Sequence, residues 1–225
     1  MRWALVLAAV LLSQACVNQM ELAKQSLEST VITRNTITYR NLQSYPGNVV
    51  CGEFTTRRSA REDQYKPFVY RSGAADASPS TEEIAVFCST EPQHSLHQIT
   101  GINYAGRDRE YLLLIRADYA LLADALEQYE TDNFGYPRSN QGTDALVAPS
   151  DITPRPRKFK DGGYLSTVPL DPWGAPYLYT GPVFAGVKGS YTLLTLGADG
   201  REGGVDSNAD VELRHMLYLD HIDQL

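Results

Sequence analysis

The sequence predicts an α+β protein in two parts: a small, mostly-β module, then a long helix packed on a small antiparallel sheet. Three observations carry that prediction. Short strand-like runs between residues 36 and 88 alternate with turn residues and hold two cysteines, Cys51 and Cys88. One apolar stripe runs from Leu112 to Tyr129 at helical spacing. Behind it, Tyr177 to Thr180 and Tyr191 to Leu196 alternate in hydrophobicity as antiparallel strands do.

The chain has 225 residues, which suits one large domain or two small ones, and its 43% hydrophobic content is enough to bury a core. Twenty Lys and Arg against 27 Asp and Glu give a formal charge of −7. An acidic chain repels phosphate backbones, and no basic stripe with interleaved aromatics is present, so nucleic acid is excluded as a partner class.

The N-terminus reads as an export signal over residues 1–15. Arg2 precedes an apolar run from Trp3 to Leu12, and Ser13-Gln14-Ala15-Cys16 follows. That run is too short to span a bilayer but suits the core of a signal peptide. The segment resembles a bacterial lipoprotein signal, although Ser13 stands where leucine is usual. The resemblance implies cleavage before Cys16, lipid on its thiol, and, with Val17 next, anchoring in the outer membrane. A plain secretory signal and a buried apolar element are the alternatives.

Residues 16–99 form the expected β-rich module. Met20 to Thr30 reads as a short helix, with Leu22 and Leu27 as its apolar positions. Thr36 to Tyr39 and Asn48 to Cys51 read as strands around a Pro46-Gly47 turn. Phe68 to Tyr70 and Ile84 to Cys88 read as two more, with a loop over Ser72 to Ser80 between them. With Cys16 set aside for lipid, Cys51 and Cys88 remain as an even pair in an exported chain, where disulfides persist. A bridge between them would staple a module too small to hold itself together easily; two buried free thiols are the other reading.

Residues 100–108, with Gly101 and Gly106, read as a linker to the second part, residues 109–225. There Leu112, Ile115, Tyr119, Leu122, Leu126 and Tyr129 recur at alternating intervals of three and four, one face of a helix. The helix is expected to end before Asn133-Phe134-Gly135, with the glycine as its left-handed cap.

From there the sequence becomes specific. Tyr129-Glu130-Thr131-Asp132-Asn133-Phe134-Gly135-Tyr136-Pro137 is followed by Gln141-Gly142-Thr143-Asp144-Ala145-Leu146-Val147. Next come Gly162-Gly163-Tyr164-Leu165, Pro169-Leu170-Asp171-Pro172-Trp173-Gly174-Ala175-Pro176-Tyr177 and Leu196-Gly197-Ala198-Asp199-Gly200, with Gly203-Gly204 and Asn208-Ala209-Asp210 behind. In this order they resemble the globular head of the major pseudopilin of type II secretion systems, the general secretion pathway protein G family, over roughly residues 107–211. Each motif also has a physical reading: Asp171-Pro172-Trp173-Gly174 is a turn whose Pro fixes φ, and Trp173 is placed to anchor it on the helix.

The loop after Leu196 carries the chemistry. Calcium takes six to eight oxygens from carboxylates and carbonyls in flexible geometry. Asp199, Asp206 and Asp210 supply carboxylates, Asn208 could add an amide oxygen, and four glycines let carbonyls curl inward. Carboxylates kept close repel one another unless a cation sits among them. The resemblance implies a calcium site from the Leu196 carbonyl, Asp199, and Asp206 or Asp210. Asp206 to Asp210 opens like an EF-hand, but Val211 and Leu217 stand where that motif needs Gly and Glu.

Two features set expectations against ordinary filament assembly. The pseudopilin start, an apolar segment forming the filament core, is not read here. Residues 107–118 carry Arg107, Asp108, Arg109, Glu110, Arg116 and Asp118, which do not suit hydrocarbon. The tail from Glu212 to Leu225 runs past the loop, where His215, Leu219 and Ile222 suit a short helical face.

No G-x-S-x-G, H-E-x-x-H, P-loop or dinucleotide fingerprint occurs, and His94 and His97 read as solvated loop residues, so no enzyme and no small-molecule substrate is expected. The expected function is that of an exported, calcium-stabilised structural or interaction protein of the cell envelope. It would face the periplasm from a lipid anchor and act with protein partners in or alongside secretion or pilus assembly. A periplasmic lipoprotein that binds or inhibits another protein through its N-terminal module is the alternative.

Overall fold

The computed structural model describes residues 19–57, 61, 64–182 and 189–225. The signal segment and Cys16 lie outside the described residues. The chain divides into two compact units. One takes in the described residues up to Ile99 together with Tyr218–Leu225; the other is Thr100–Leu217. The architecture is α+β in both.

The first unit opens with helix α1 at residues 19–30. Ala23 and Leu27, one turn apart, are its buried positions, whereas Leu22 is 40% exposed. Ala23 is the inward position that apolar counting passed over in favour of Leu22. A four-stranded antiparallel sheet follows in the order β1 (Thr38–Tyr45), β2 (Val49–Thr55), β3 (Lys66–Arg71) and β4 (Ala74–Asp76). Strand β4 falls inside the segment expected to be loop. Val50, Phe54, Phe68, Tyr70 and Ala75 form one core with Ala23 and Leu27 of α1. Their alternation along β2 and β3 leaves Val49, Cys51 and Val69, also buried, on the opposite face.

That opposite face is met by helix α2 (Thr81–Phe87), which packs against β2 and β3. Ile84 to Cys88, expected as a strand, is therefore helical up to Phe87, with Cys88 as its C-cap. The reason lies just upstream: the Ser80 hydroxyl accepts from the Glu83 amide and the Glu83 carboxylate accepts from the Ser80 amide, a closed capping box. A short apolar run does not declare its own period, and the cap decides it. Cys51 and Cys88 form a disulfide that joins β2 to the end of α2. Helix α3 (Pro92–Thr100) holds His94 and His97, which are thus helical rather than loop residues.

The second unit is built on helix α4 (Gly106–Asn133), 28 residues long. All six expected stripe residues are buried, with Ala125 added to them. Its left-handed cap is Phe134 (φ 61°), whose amide donates to the Glu130 carbonyl, and not Gly135. The stretch expected as a linker is packed, with Ile102 and Tyr104 buried. A three-stranded antiparallel sheet, β5 (Leu178–Thr180), β6 (Thr192–Thr195) and β7 (Val211–Glu212), lies in that order. Tyr119 and Tyr177 fix α4 to the start of β5 edge to face, 5.1 Å apart, and the Tyr177 hydroxyl donates to Asp118 at 2.7 Å.

The specific motifs of the sequence are the connections around this frame. Gln141 donates to the carbonyls of Ile152 and Pro154, and the amides of Tyr164 and Leu165 both return to the Leu146 carbonyl. Asp171, buried, accepts from the amides of Trp173 and Ala175 and from the Thr195 hydroxyl, so one carboxylate holds the turn and pins it to β6. Trp173 lies against Tyr111 of α4 at 5.2 Å, as the turn-anchoring role requires. Helix α5 (Met216–Asp223) ends the fold, and Tyr218–Leu225 cluster with the first unit instead of extending the second.

Candidate functional site

The candidate site is the loop that leaves β6 at Leu196 and returns as β7 at Val211. Its backbone is drawn in on itself: the Ala198 amide donates to Ser207, Asn208 to Val205 and Ala209 to Asp206. Its far wall is tied to the segment before α4, where the Asp206 amide donates to the Gly101 carbonyl at 2.8 Å. Gly101 has φ +75°, and a Cβ there would stand 2.5 Å from the Gly204 carbonyl oxygen. Only glycine fits that crossing without moving one chain or the other. The exit is held from α4, where the Tyr119 hydroxyl donates to the Val211 carbonyl.

The acidic side chains do not play equal parts. Asp210 Oδ2 accepts from the Gly203 amide at 2.9 Å, while its Oδ1 is buried with no hydrogen-bond partner. Burial, followed by the charges of Glu202, Asp199 and Glu212, holds the Asp210 carboxyl above its ordinary range, against the pull of the Gly203 amide. Asp199 is thus one of three acidic neighbours whose charge acts on Asp210. Asp199 Oδ1 also accepts from the Arg201 amide at 3.1 Å. Asp206 stands at φ 56° in a 3-10 turn with Ser207 and Asn208. Leu196 follows directly on β6 at the loop entrance.

Sequence reasoning passed over Glu202 and Glu212, which act on Asp210. Glu202 was open to view inside the loop. Glu212 was masked by its place in the tail, where Arg214 pairs with it at 2.8 Å and lowers its pKa. Among the described residues, no group of three or more His, Cys, Asp or Glu side chains is placed to hold a metal ion. No helix among them is long and apolar enough to cross a membrane.

Comparison with known proteins falls on this unit. The sequence profile of type II secretion system protein G matches residues 114–214. The type II secretion system core protein G of Pseudomonas aeruginosa is 43% identical over 104 residues, covering 46% of this chain and 71% of that protein. Its namesake in Vibrio cholerae is 45% identical over 94 residues, covering 42% of this chain and 62% of that one. The Escherichia coli K12 protein of the same name is 38% identical over 90 residues, 40% and 60% of the two chains. The match thus spans less than two thirds of the latter two relatives' own length. A crystal structure of the major pseudopilin from the type 2 secretion system of enterohaemorrhagic Escherichia coli is 28% identical, with a TM-score of 0.42 over 49% of this chain and 87% of that one. The profile takes in the motifs from the cap of α4 through the acidic loop, and with the identity to the Pseudomonas protein this places the chain in the type II secretion system protein G family.

Proposed function

We propose that the chain is an exported, non-enzymatic interaction protein whose pseudopilin-type unit works in or alongside type II secretion or pilus assembly. The observation that carries this reading is the profile match over residues 114–214, which lies wholly inside the second unit. Protein partners follow from the relatives' description as components of a secretion system. Photo-crosslinking from the exposed face of the second unit, in native envelopes, tests the reading. Recovery of secretion or pilus components supports it, and recovery of none removes it.

Within this reading the loop holds calcium. The support is the buried, unpartnered Oδ1 of Asp210, pressed by the like charges of Asp199, Glu202 and Glu212. A carboxylate in that state is relieved by a cation. Asp199 and Asp210 would supply the carboxylates and the loop carbonyls, Leu196 included, the remaining oxygens. With no group of three such side chains placed together among the described residues, the carbonyls would make up much of the shell. When bound, the ion supplies positive charge that orders the loop. Asp206 is then a framing residue, tied by its amide to Gly101.

The lipid anchor at Cys16 and its outer-membrane placement belong to the same proposal. Mass spectrometry of the mature N-terminus tests them: diacylglycerol on Cys16 supports the anchor, and a free thiol there rejects it. A second reading, in which the N-terminal module binds or inhibits another protein, is favoured by that unit's own core and disulfide.

A further inference from the structure

The segment from Tyr218 closes the first unit over the end of α2. Tyr218 and Leu219 are buried, and Tyr218 lies 5.5 Å from the Phe87 ring. The Tyr218 hydroxyl donates to Glu82 at 3.3 Å. His221 meets the same Phe87 ring edge to face at 5.1 Å. On its other side, His221 presses on the turn between β1 and β2: a Cβ at Gly47 would stand 2.6 Å from its Cε1. The imidazole is therefore wedged between an aromatic ring and a glycine backbone, 7% exposed, with Nε2 buried and unpartnered.

This seat suits a neutral ring and opposes a charged one. A protonated Nε2 would be a buried donor with nothing to accept it, at a cost larger than that of a neutral orphan. The charged group acting on His221 is a cation, Arg71 of β3, whose guanidinium stacks on Phe87 at 4.7 Å. The carboxylates of α2 are engaged elsewhere: Glu82 accepts from Tyr218, and Glu83 closes the cap with Ser80. Helix α5 itself carries Asp220 and Asp223, and Tyr45 precedes the Gly47 turn. None of these carboxylates is among the causes that shift His221; burial first, then Arg71, push its imidazole below the ordinary value.

We propose that the C-terminal helix is a proton-released latch, seated on the disulfide-bearing face of the first unit while His221 is neutral and let go when His221 takes a proton. Disulfide and latch meet on neighbouring residues, since Cys88 follows Phe87 directly. The sheet and α2 thus keep their covalent tie while the aromatic seat opens. Acidification of the surrounding compartment would uncover Phe87 without unfolding the strands. This device is independent of the calcium loop.

Hydrogen exchange on the full, oxidised chain at pH 7.5 and pH 5.0, corrected for intrinsic rates, tests it. The expected result is a severalfold loss of protection over Tyr218–Leu225 at the lower pH, with β2 and β3 still protected and losing less than the tail. His221→Phe, which fills the slot but carries no titrating nitrogen, should keep its protection at both pH values. That variant leaves His94, His97 and His215 in place and so isolates His221. Equal protection at both pH values in the natural sequence overturns the proposal, as does an unchanged loss in His221→Phe. Should that variant not fold, the Cε1 proton of His221 followed by NMR decides: titration without parallel shifts in the Tyr218–Leu225 amides also overturns it.

Discussion

Tyr119 donates its buried hydroxyl to the main-chain carbonyl of Val211 at 2.5 Å, across 92 residues of sequence. One hydrogen bond thus joins the middle of α4 to the strand that closes the acidic loop. Burial of that hydroxyl holds its pKa far above the ordinary phenol value, so it remains a donor throughout the working pH range. Tyr119→Phe keeps the ring contact with Tyr177 and removes only the donor. The expected cost is about 1 kcal/mol of stability in the second unit. Chemical denaturation followed by the α4 signal measures it, and an unchanged midpoint would show that the bond holds nothing.

Asp210 gives a prediction whose sign turns on calcium. Its carboxyl is held above the ordinary value, so the folded unit binds that proton more tightly than the unfolded chain. Its favourable contribution is present below the unfolded pKa and is lost as pH rises through the folded one. At neutral pH without divalent ions, Asp210→Asn should therefore melt at or above the natural protein. With calcium in excess the order should reverse. An ion bound only by the folded state adds about 2.7 kcal/mol at a hundredfold excess over Kd, and the variant forgoes it. Asp199→Ala should lose the same calcium response. Melting curves with calcium and with chelator check both, and a calcium response retained in both variants would move the ion elsewhere.

How much of this was legible beforehand depends on the kind of signal. The stripe of α4 was plain because a long apolar period overrides local detail, and all six stripe residues from Leu112 to Tyr129 are buried. The order of the loop motifs was plain for a different reason: each fixes a turn by its own chemistry, as Asp171 does with Trp173 and Ala175. Ile84 to Cys88 was misjudged because five apolar residues suit either period; the decision sat in Ser80 and Glu83, before the run. Phe134 was missed because a ring at a left-handed cap breaks the preference for glycine. The coupling of Asp210 to Glu202 and Glu212 depends on loop closure, which no spacing reveals. The return of Tyr218–Leu225 to the first unit is a contact of high sequence separation, invisible to any local pattern.

Gly101 is the point where the segment before α4 crosses closest to the acidic loop. At φ +75°, with the Gly204 carbonyl oxygen 2.5 Å from where a Cβ would be, Gly101→Ala meets strain and collision together. It should cost more than about 1 kcal/mol and weaken the Asp206 amide bond to the Gly101 carbonyl. If the loop is the calcium site, the variant should also raise the calcium concentration needed for half of the melting shift. Gly73, also left-handed but with open space around its Cβ position, is the control. Its alanine variant meets the backbone penalty alone. Equal losses in the two would show that the crossing with Gly204 is immaterial.

Reducing the disulfide and removing the tail should strike the same unit by different routes. The Cys51–Cys88 bond closes a loop with a sequence separation of 37. On chain-entropy grounds its loss should cost about 4 kcal/mol. Removing Tyr218–Leu225 takes away two buried side chains, Tyr218 and Leu219, each contributing roughly 2 kcal/mol before the entropy of ordering them. Both changes should lower hydrogen-exchange protection in β2 and β3 while leaving α4 and its stripe protected, because the second unit has its own core. Together they should cost less than the sum of the two, since Cys88 and Phe87 are adjacent and share the seat of the tail. Protection lost first in α4 after removal of the tail would assign Tyr218–Leu225 to the second unit instead of the first.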